Sequence, residues 1–250
     1  MTDIPARSIS SNTERWYDEY NRKKGADRND LLRNPEVAFQ VFAADAAVIA
    51  AFATTGAPLS AVILDVGCGT GGGLMPLVRL GFQPARLHGI DIQFDRLTEA
   101  ATRTAACRLV AGNAAHLPYA TDVFDIVFES TMFMQITDEN VAIDIANEMI
   151  RVCRPGGFIL LSDWRYADFR NRRSRALSTS RLRRLFAVNS RTAWVTRFRG
   201  ALIPPLGRFL SRHARPLYFV VHGLMPFLSG HVVVVLRKPS TPAAHVNGRA

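Results

Sequence analysis

Cysteine is scarce in this sequence and always isolated: Cys68, Cys107 and Cys153 show no C-x-x-C spacing, which excludes a common zinc pattern and a disulfide framework. They read as thiols in a reducing compartment. Lysine is equally scarce, with Lys23, Lys24 and Lys238 the only lysines in a chain of net charge +10, so arginine carries the positive charge. Acid is missing from one long stretch, where fourteen arginines between Arg165 and Arg215 are accompanied by Asp168 alone. No uninterrupted apolar run reaches the roughly 18 residues of a membrane span, and no basic-apolar leader opens the chain. The expectation is therefore a cytoplasmic protein, with membrane association left to the basic segment. No internal repeat is evident.

The pattern that remains is one of alternating elements. An alanine-rich apolar helix follows Asn34, with Pro35 suited to its first turn and Gly56 to its end. Strands are expected at 61–64, 86–91, 107–112, 123–128 and 158–162, and helices at 74–80, 94–104 and 138–152. Strand and helix thus alternate from 61 to about 187, which implies an α/β fold with a mostly parallel sheet covered by helices on both faces. Two late strands, 193–198 and 231–236, enclose a proline-punctuated excursion, which implies a terminal antiparallel pair with an inserted helical cap. The expected divisions are 1–55 as an amino-terminal lid and helix, 56–199 as a cofactor-binding core, 200–230 as the insertion, 231–238 as the final core strand and 239–250 as a flexible tail. The lid reading rests on Trp16, Tyr17, Tyr20 and Arg28, aromatic and charged residues without a clean helical stripe.

Chemistry concentrates at Asp65-Val66-Gly67-Cys68-Gly69-Thr70-Gly71-Gly72, directly behind the first apolar strand. Alternate glycines let the backbone pass close beneath a ligand and adopt positive φ. The spacing is neither the G-x-G-x-x-G of dinucleotide binders nor the Gly-Lys-Ser/Thr of a P-loop. It resembles motif I of the class I S-adenosylmethionine-dependent methyltransferases. Asp91 ends the next strand, where a carboxylate can accept from two ribose hydroxyls, with Ile92 beside it. Asn113-Ala114 follows the third strand, at the place where the resemblance puts a polar contact to the adenine edge; the family more often has Asp there. Arg151-Val152-Cys153-Arg154-Pro155-Gly156-Gly157 resembles the family's L-K-P-G-G turn. The resemblance implies a Rossmann-like seven-stranded sheet, S-adenosyl-L-methionine as cofactor and Asp65, Gly67, Cys68, Gly69, Gly71, Asp91, Ile92, Asn113, Ala114 and Glu129 around it.

The acceptor is less legible. Glu129-Ser130-Thr131 stands where amine-directed nucleic-acid methyltransferases carry Asn/Asp-Pro-Pro-aromatic, and Cys153 is wrongly placed for a cytosine nucleophile. A hydroxyl acceptor needs its proton removed. Asp163 and Glu129, at the ends of their strands, are the candidate bases. The competing readings are an Asp163–Arg165 ion pair and, for Glu129, a cofactor contact or a capped turn. His213, His222 and His231 lack metal spacing. Further stretches, from Trp16 onward and at 200–210, are similar to bacterial methyltransferases associated with cell-envelope polysaccharide synthesis. The expected partner is therefore an anionic or lipid-linked glycan or other small-molecule hydroxyl, with peripheral membrane contact through the apolar, arginine-bearing segment 200–228. The alternatives are an RNA-binding methyltransferase and a non-catalytic cofactor-binding interaction protein.

Overall fold

Ile63-Leu64, Ile126-Val127, Leu160-Leu161 and Val233-Val234 are adjacent apolar pairs, and neighbouring strand residues face opposite sides, so each pair demands cover on both faces. All eight side chains are buried. The computed structural model describes residues 31, 33–104, 106–166 and 174–240; the lid residues Trp16, Tyr17, Tyr20 and Arg28 and the tail from 241 lie outside the described residues. Its strands are β1 (Ile63–Val66), β2 (Leu87–Asp91), β3 (Arg108–Ala111), β4 (Phe124–Ser130), β5 (Cys153–Trp164), β6 (Ala193–Arg199) and β7 (His231–Arg237). They form one sheet in the order β3-β2-β1-β4-β5-β7-β6. The first five pair in parallel, and β7 runs antiparallel to both β5 and β6.

One face is covered by α1 (Ala38–Thr55), α2 (Leu74–Arg79) and α3 (Phe94–Arg103), whose Ala47, Ala51, Phe52, Leu74, Leu77 and Leu97 pack with Ile63, Ile126, Leu160 and Val233. The other is covered by α4 (Glu139–Val152) and α5 (Thr179–Leu185), whose Ile145, Met149, Leu182 and Leu185 pack with Leu64, Val127, Leu161 and Val234. By length and hydropathy the helix at Pro35–Thr55 could cross a membrane, but here its Ala43, Ala47, Ala51 and Phe52 are buried in the fold.

Two of the boundaries that differ from the sequence reading bear on the site and the sheet. The fourth strand extends to Ser130, which places Glu129 inside it. Pro155-Gly156-Gly157 does not separate helix from strand: β5 begins at Cys153, and two residues of β4 span five of β5 between the pairs Phe124–Cys153 and Ile126–Phe158. Lys238 beside β7 explains this, because its backbone exchanges bonds with Gly156 and Gly157 while its Nζ donates to the carbonyls of Ile150 and Cys153.

The excursion between β6 and β7 is a helical cap, α6 (Pro204–His213) and α7 (Arg215–Leu224). It is held to α1 by buried Tyr218, whose hydroxyl donates to Gln40 Oε1 at 2.5 Å, while Gln40 Nε2 donates to the Leu202 carbonyl at 3.0 Å. A Cβ on Gly207 would overlap the Gln40 amide, so a glycine is what lets α6 sit against α1. Arg165, the residue after β5, donates to the carbonyls of Pro226 and Phe227 at 3.3 and 2.9 Å, and Arg199 donates to those of His222 and Gly223 at 3.1 and 3.3 Å. The cap therefore stands on the edge of the sheet where β1 to β5 end.

Candidate cofactor cleft

At that edge the turn after β1 is built on three left-handed residues, Gly67, Gly69 and Gly71, with φ of +72°, +51° and +81°. A Cβ on Gly67 would lie 2.9 Å from Met132 Sδ, and one on Gly69 would overlap the Arg96 guanidinium. Both conformation and space thus demand glycine. The turn is pinned to β2, since the amides of Gly67 and Cys68 donate to the Ile90 carbonyl at 2.8 and 3.0 Å. The Gly69 amide donates to Asp91 Oδ2 at 2.8 Å, and the Gln93 amide to Asp91 Oδ1 at 2.9 Å. Each carboxylate oxygen keeps a second lone pair for a ligand hydroxyl.

A cleft of about 200 Å³ opens above this turn, lined by Asp65, Gly67, Cys68, Asp91, Ile92, Asn113 and Ala114 among the residues expected from the sequence. Gly69, Gly71 and Glu129 do not line it. Asn113 Oδ1 accepts from the Ala115 amide at 2.9 Å, so its amide nitrogen is the group it offers to a ligand. Cys68 is buried, and burial followed by the charges of Asp65 and Asp91 pushes its thiol up, which leaves it an inert wall.

Asp65 is the unusual member. It is 1% exposed, and among the described residues neither carboxylate oxygen has a hydrogen-bond partner. Burial, reinforced by the charge of Asp91, holds its carboxyl well above the usual range. An orphaned buried acid is costly unless something cationic compensates it.

The expected bases lie elsewhere. Asp163 is buried and outside the cleft, accepting from the amides of Met134 and Trp164 at 2.9 and 2.6 Å. Arg165 turns instead to the cap carbonyls, so these contacts take the place of an Asp163–Arg165 ion pair. Glu129, also buried, accepts from the Met132 amide at 3.0 Å and leaves Oε1 unpartnered. These two acids fasten the end of β4 and the segment after it, whose Ser130, Thr131, Met132, Gln135 and Ile136 form the opposite wall of the cleft. Burial is the main cause raising both carboxyls, Asp163 to about 7 and Glu129 well above its usual value.

Because the folded-state value of Asp163 is raised, the native protein binds more protons than the unfolded chain between pH 4 and 7. Stability from this group is therefore present below pH 4 and lost as pH rises to about 7. The difference in unfolding free energy between the unsubstituted protein and Asp163→Asn should decline across that window and flatten above it. A pH-independent difference in urea titrations would contradict the assignment.

Arg181 was not singled out by the sequence, where it is one arginine among many. It is 4% exposed and donates to the carbonyls of Phe133, Arg175 and Ile136 at 3.1, 3.1 and 2.9 Å and to Glu139 at 3.1 Å. Arg175 and Arg184 also reach Glu139, Arg191 reaches Asn147, and Arg183 lies over the Trp194 ring. Much of the basic stretch is thus turned onto the protein itself. Arg170, Arg172 and Arg173 lie outside the described residues.

Residues 63–157 match the methyltransferase domain family. The matched region contains the glycine turn, Asp91, Asn113 and Glu129. Among curated relatives, the 2-methyl-6-phytyl-1,4-hydroquinone methyltransferase of Synechocystis sp. is 30% identical over 114 residues, covering 45% of this chain and 35% of that protein. The fatty-acid O-methyltransferase of Mycolicibacterium smegmatis is 36% identical over 107 residues, covering 41% of this chain and 37% of that protein. The chain thus spans little more than a third of these relatives' length. A solved structure, a sarcosine dimethylglycine methyltransferase assignment from Galdieria sulphuraria, superposes with a TM-score of 0.57 at 17% identity over 78% of this chain and 85% of that one. That likeness shows a shared Rossmann-like arrangement of the sheet and its helices.

Proposed function

We propose that the chain is an S-adenosyl-L-methionine-dependent methyltransferase acting on a lipid-linked glycan or another small lipidic molecule. The observation that carries the cofactor reading is Asp65, a buried carboxylate without a hydrogen-bond partner among the described residues, in the wall of a glycine-floored cleft. An ammonium-bearing, phosphate-free ligand fits that acid, whereas a pyrophosphate would be repelled by Asp65 and Asp91 together. When bound, the cofactor supplies an activated methyl group on a sulfonium. Asp65 would balance its ammonium, Asp91 would accept from its ribose hydroxyls, and the Asn113 amide would meet the adenine edge. The segment 130–136, fastened from beneath by Glu129, Asp163 and Arg181, would hold the acceptor in line and exclude water, which is the main requirement when the methyl is already activated.

The lipidic acceptor is supported by the two curated relatives, one named for a phytyl hydroquinone and one for a fatty acid. Incubation with methyl-labelled cofactor and fractionated cell extract tests it: label should enter the organic phase. Label confined to RNA or to water-soluble glycans would overturn the lipidic reading.

Asp91→Ala should weaken S-adenosylhomocysteine binding by about 1.5–3 kcal/mol, the range for hydrogen bonds to a charged group. Part of that loss comes through the Gly69 amide, which loses its acceptor. An unchanged dissociation constant in a folded variant would remove Asp91 from the site.

A further inference from the structure

We propose that the α6–α7 cap is a docking surface for an anionic lipid bilayer. Leu217, Val220 and Leu224 lie at helical spacing along the outer side of α7, opposite buried Tyr218, and Met225 and Phe227 extend the same apolar surface. Leu224 is 77% and Phe227 63% exposed. Side chains of this size exposed together mark a surface that meets something.

Charge identifies the occupant. Arg208, Arg212, His213 and Arg215 belong to the same cap, and the chain has no Asp or Glu after Asp168. A second copy packed symmetrically on this patch would bring these cations against their own equivalents, so self-association opposes the charge pattern. RNA would reward stacking aromatics; Phe209 and Phe227 are exposed on the cap, but Leu217, Val220, Leu224 and Met225 are exposed beside them and offer no stacking face. A bilayer with acidic headgroups satisfies both parts, apolar side chains entering the interface and arginines meeting lipid phosphate.

The placement gives this contact a consequence. The cap leaves and rejoins the sheet at Arg199 and His231, on the edge where β5 ends, and Arg165 ties its last turn to that edge. A docked cap therefore brings the cleft-bearing edge of the sheet to the lipid surface. Delivery of a lipid-borne acceptor rests on the methyltransferase reading; the contact itself does not.

The test is co-sedimentation of the full chain with phosphatidylcholine vesicles, with and without phosphatidylglycerol. Leu224→Ser/Phe227→Ser is the informative variant, because both side chains point outward; Phe219 is unsuitable because its ring packs on Phe39 and Tyr218. Binding is expected to require phosphatidylglycerol, to weaken with salt and to fall about tenfold or more in the double variant, with an unchanged thermal midpoint. No binding to phosphatidylglycerol vesicles, or equal binding by the double variant, would overturn the proposal. So would sedimentation showing that the patch is buried in a dimer, or RNA binding that the double variant loses. Vesicle binding without methyl transfer would sink the enzymatic reading and leave the docking surface standing.

Discussion

Replacing Asp65 by Asn is expected to move stability and ligand affinity in opposite directions. In the unliganded protein Asn keeps a polar side chain at the site but removes the charge whose burial raises the Asp65 carboxyl, so unfolding in denaturant should cost more above neutral pH. The same change removes the charge that answers an ammonium. S-adenosylhomocysteine affinity should therefore fall by about 2–5 kcal/mol, as when one member of a buried charge pair is lost. The raised carboxyl of Asp65 adds a second signature. Cation binding there expels a proton, so affinity should rise with pH and the calorimetric heat should depend on the ionisation enthalpy of the buffer. Both dependences should be reduced in Asp65→Asn. A variant that loses stability and binds normally would show Asp65 to be a structural acid only.

Arg181→Ala should be the most destabilising single change at the site, by about 3–5 kcal/mol, because it leaves the carbonyls of Phe133, Arg175 and Ile136 and part of Glu139 without their buried donor. The effect should reach the ligand as well, since Phe133 and Ile136 belong to the segment that walls the cleft. Arg181→Lys keeps the charge but not the planar fork, and should recover only part of the loss. Urea titration of both variants checks this. A cost under about 1 kcal/mol, as for an exposed ion pair, would show that the network contributes little.

The cofactor side of the cleft was legible because its signals are local. Glycines at 67, 69 and 71 encode backbone conformation directly, and an acid at the end of the following strand lands beside them whenever the two strands pair in parallel. The apolar strand runs also carry their own explanation, since both faces of a parallel sheet are covered. What was not legible depends on partners distant in sequence. Nothing near Arg165 announces carbonyls about sixty residues later, and nothing near Arg181 announces that it enters the core while Arg183 and Arg184 stay outside. Asp163 looked like a base because it ends a strand at the ligand edge; the Met134 amide decides its direction, and that contact belongs to a single 3-10 turn, Phe133–Gln135, whose path the sequence does not specify. The Pro-Gly-Gly segment reads as a helix stop for good local reasons, yet Lys238 draws it into the sheet.

Calorimetric titration of the unsubstituted full chain with S-adenosylmethionine tests the central claim most directly. Saturable one-to-one binding is predicted, competed by S-adenosylhomocysteine and strengthened as pH rises. Absence of heat and of any thermal shift at saturating cofactor, in a protein shown to be folded, would contradict it.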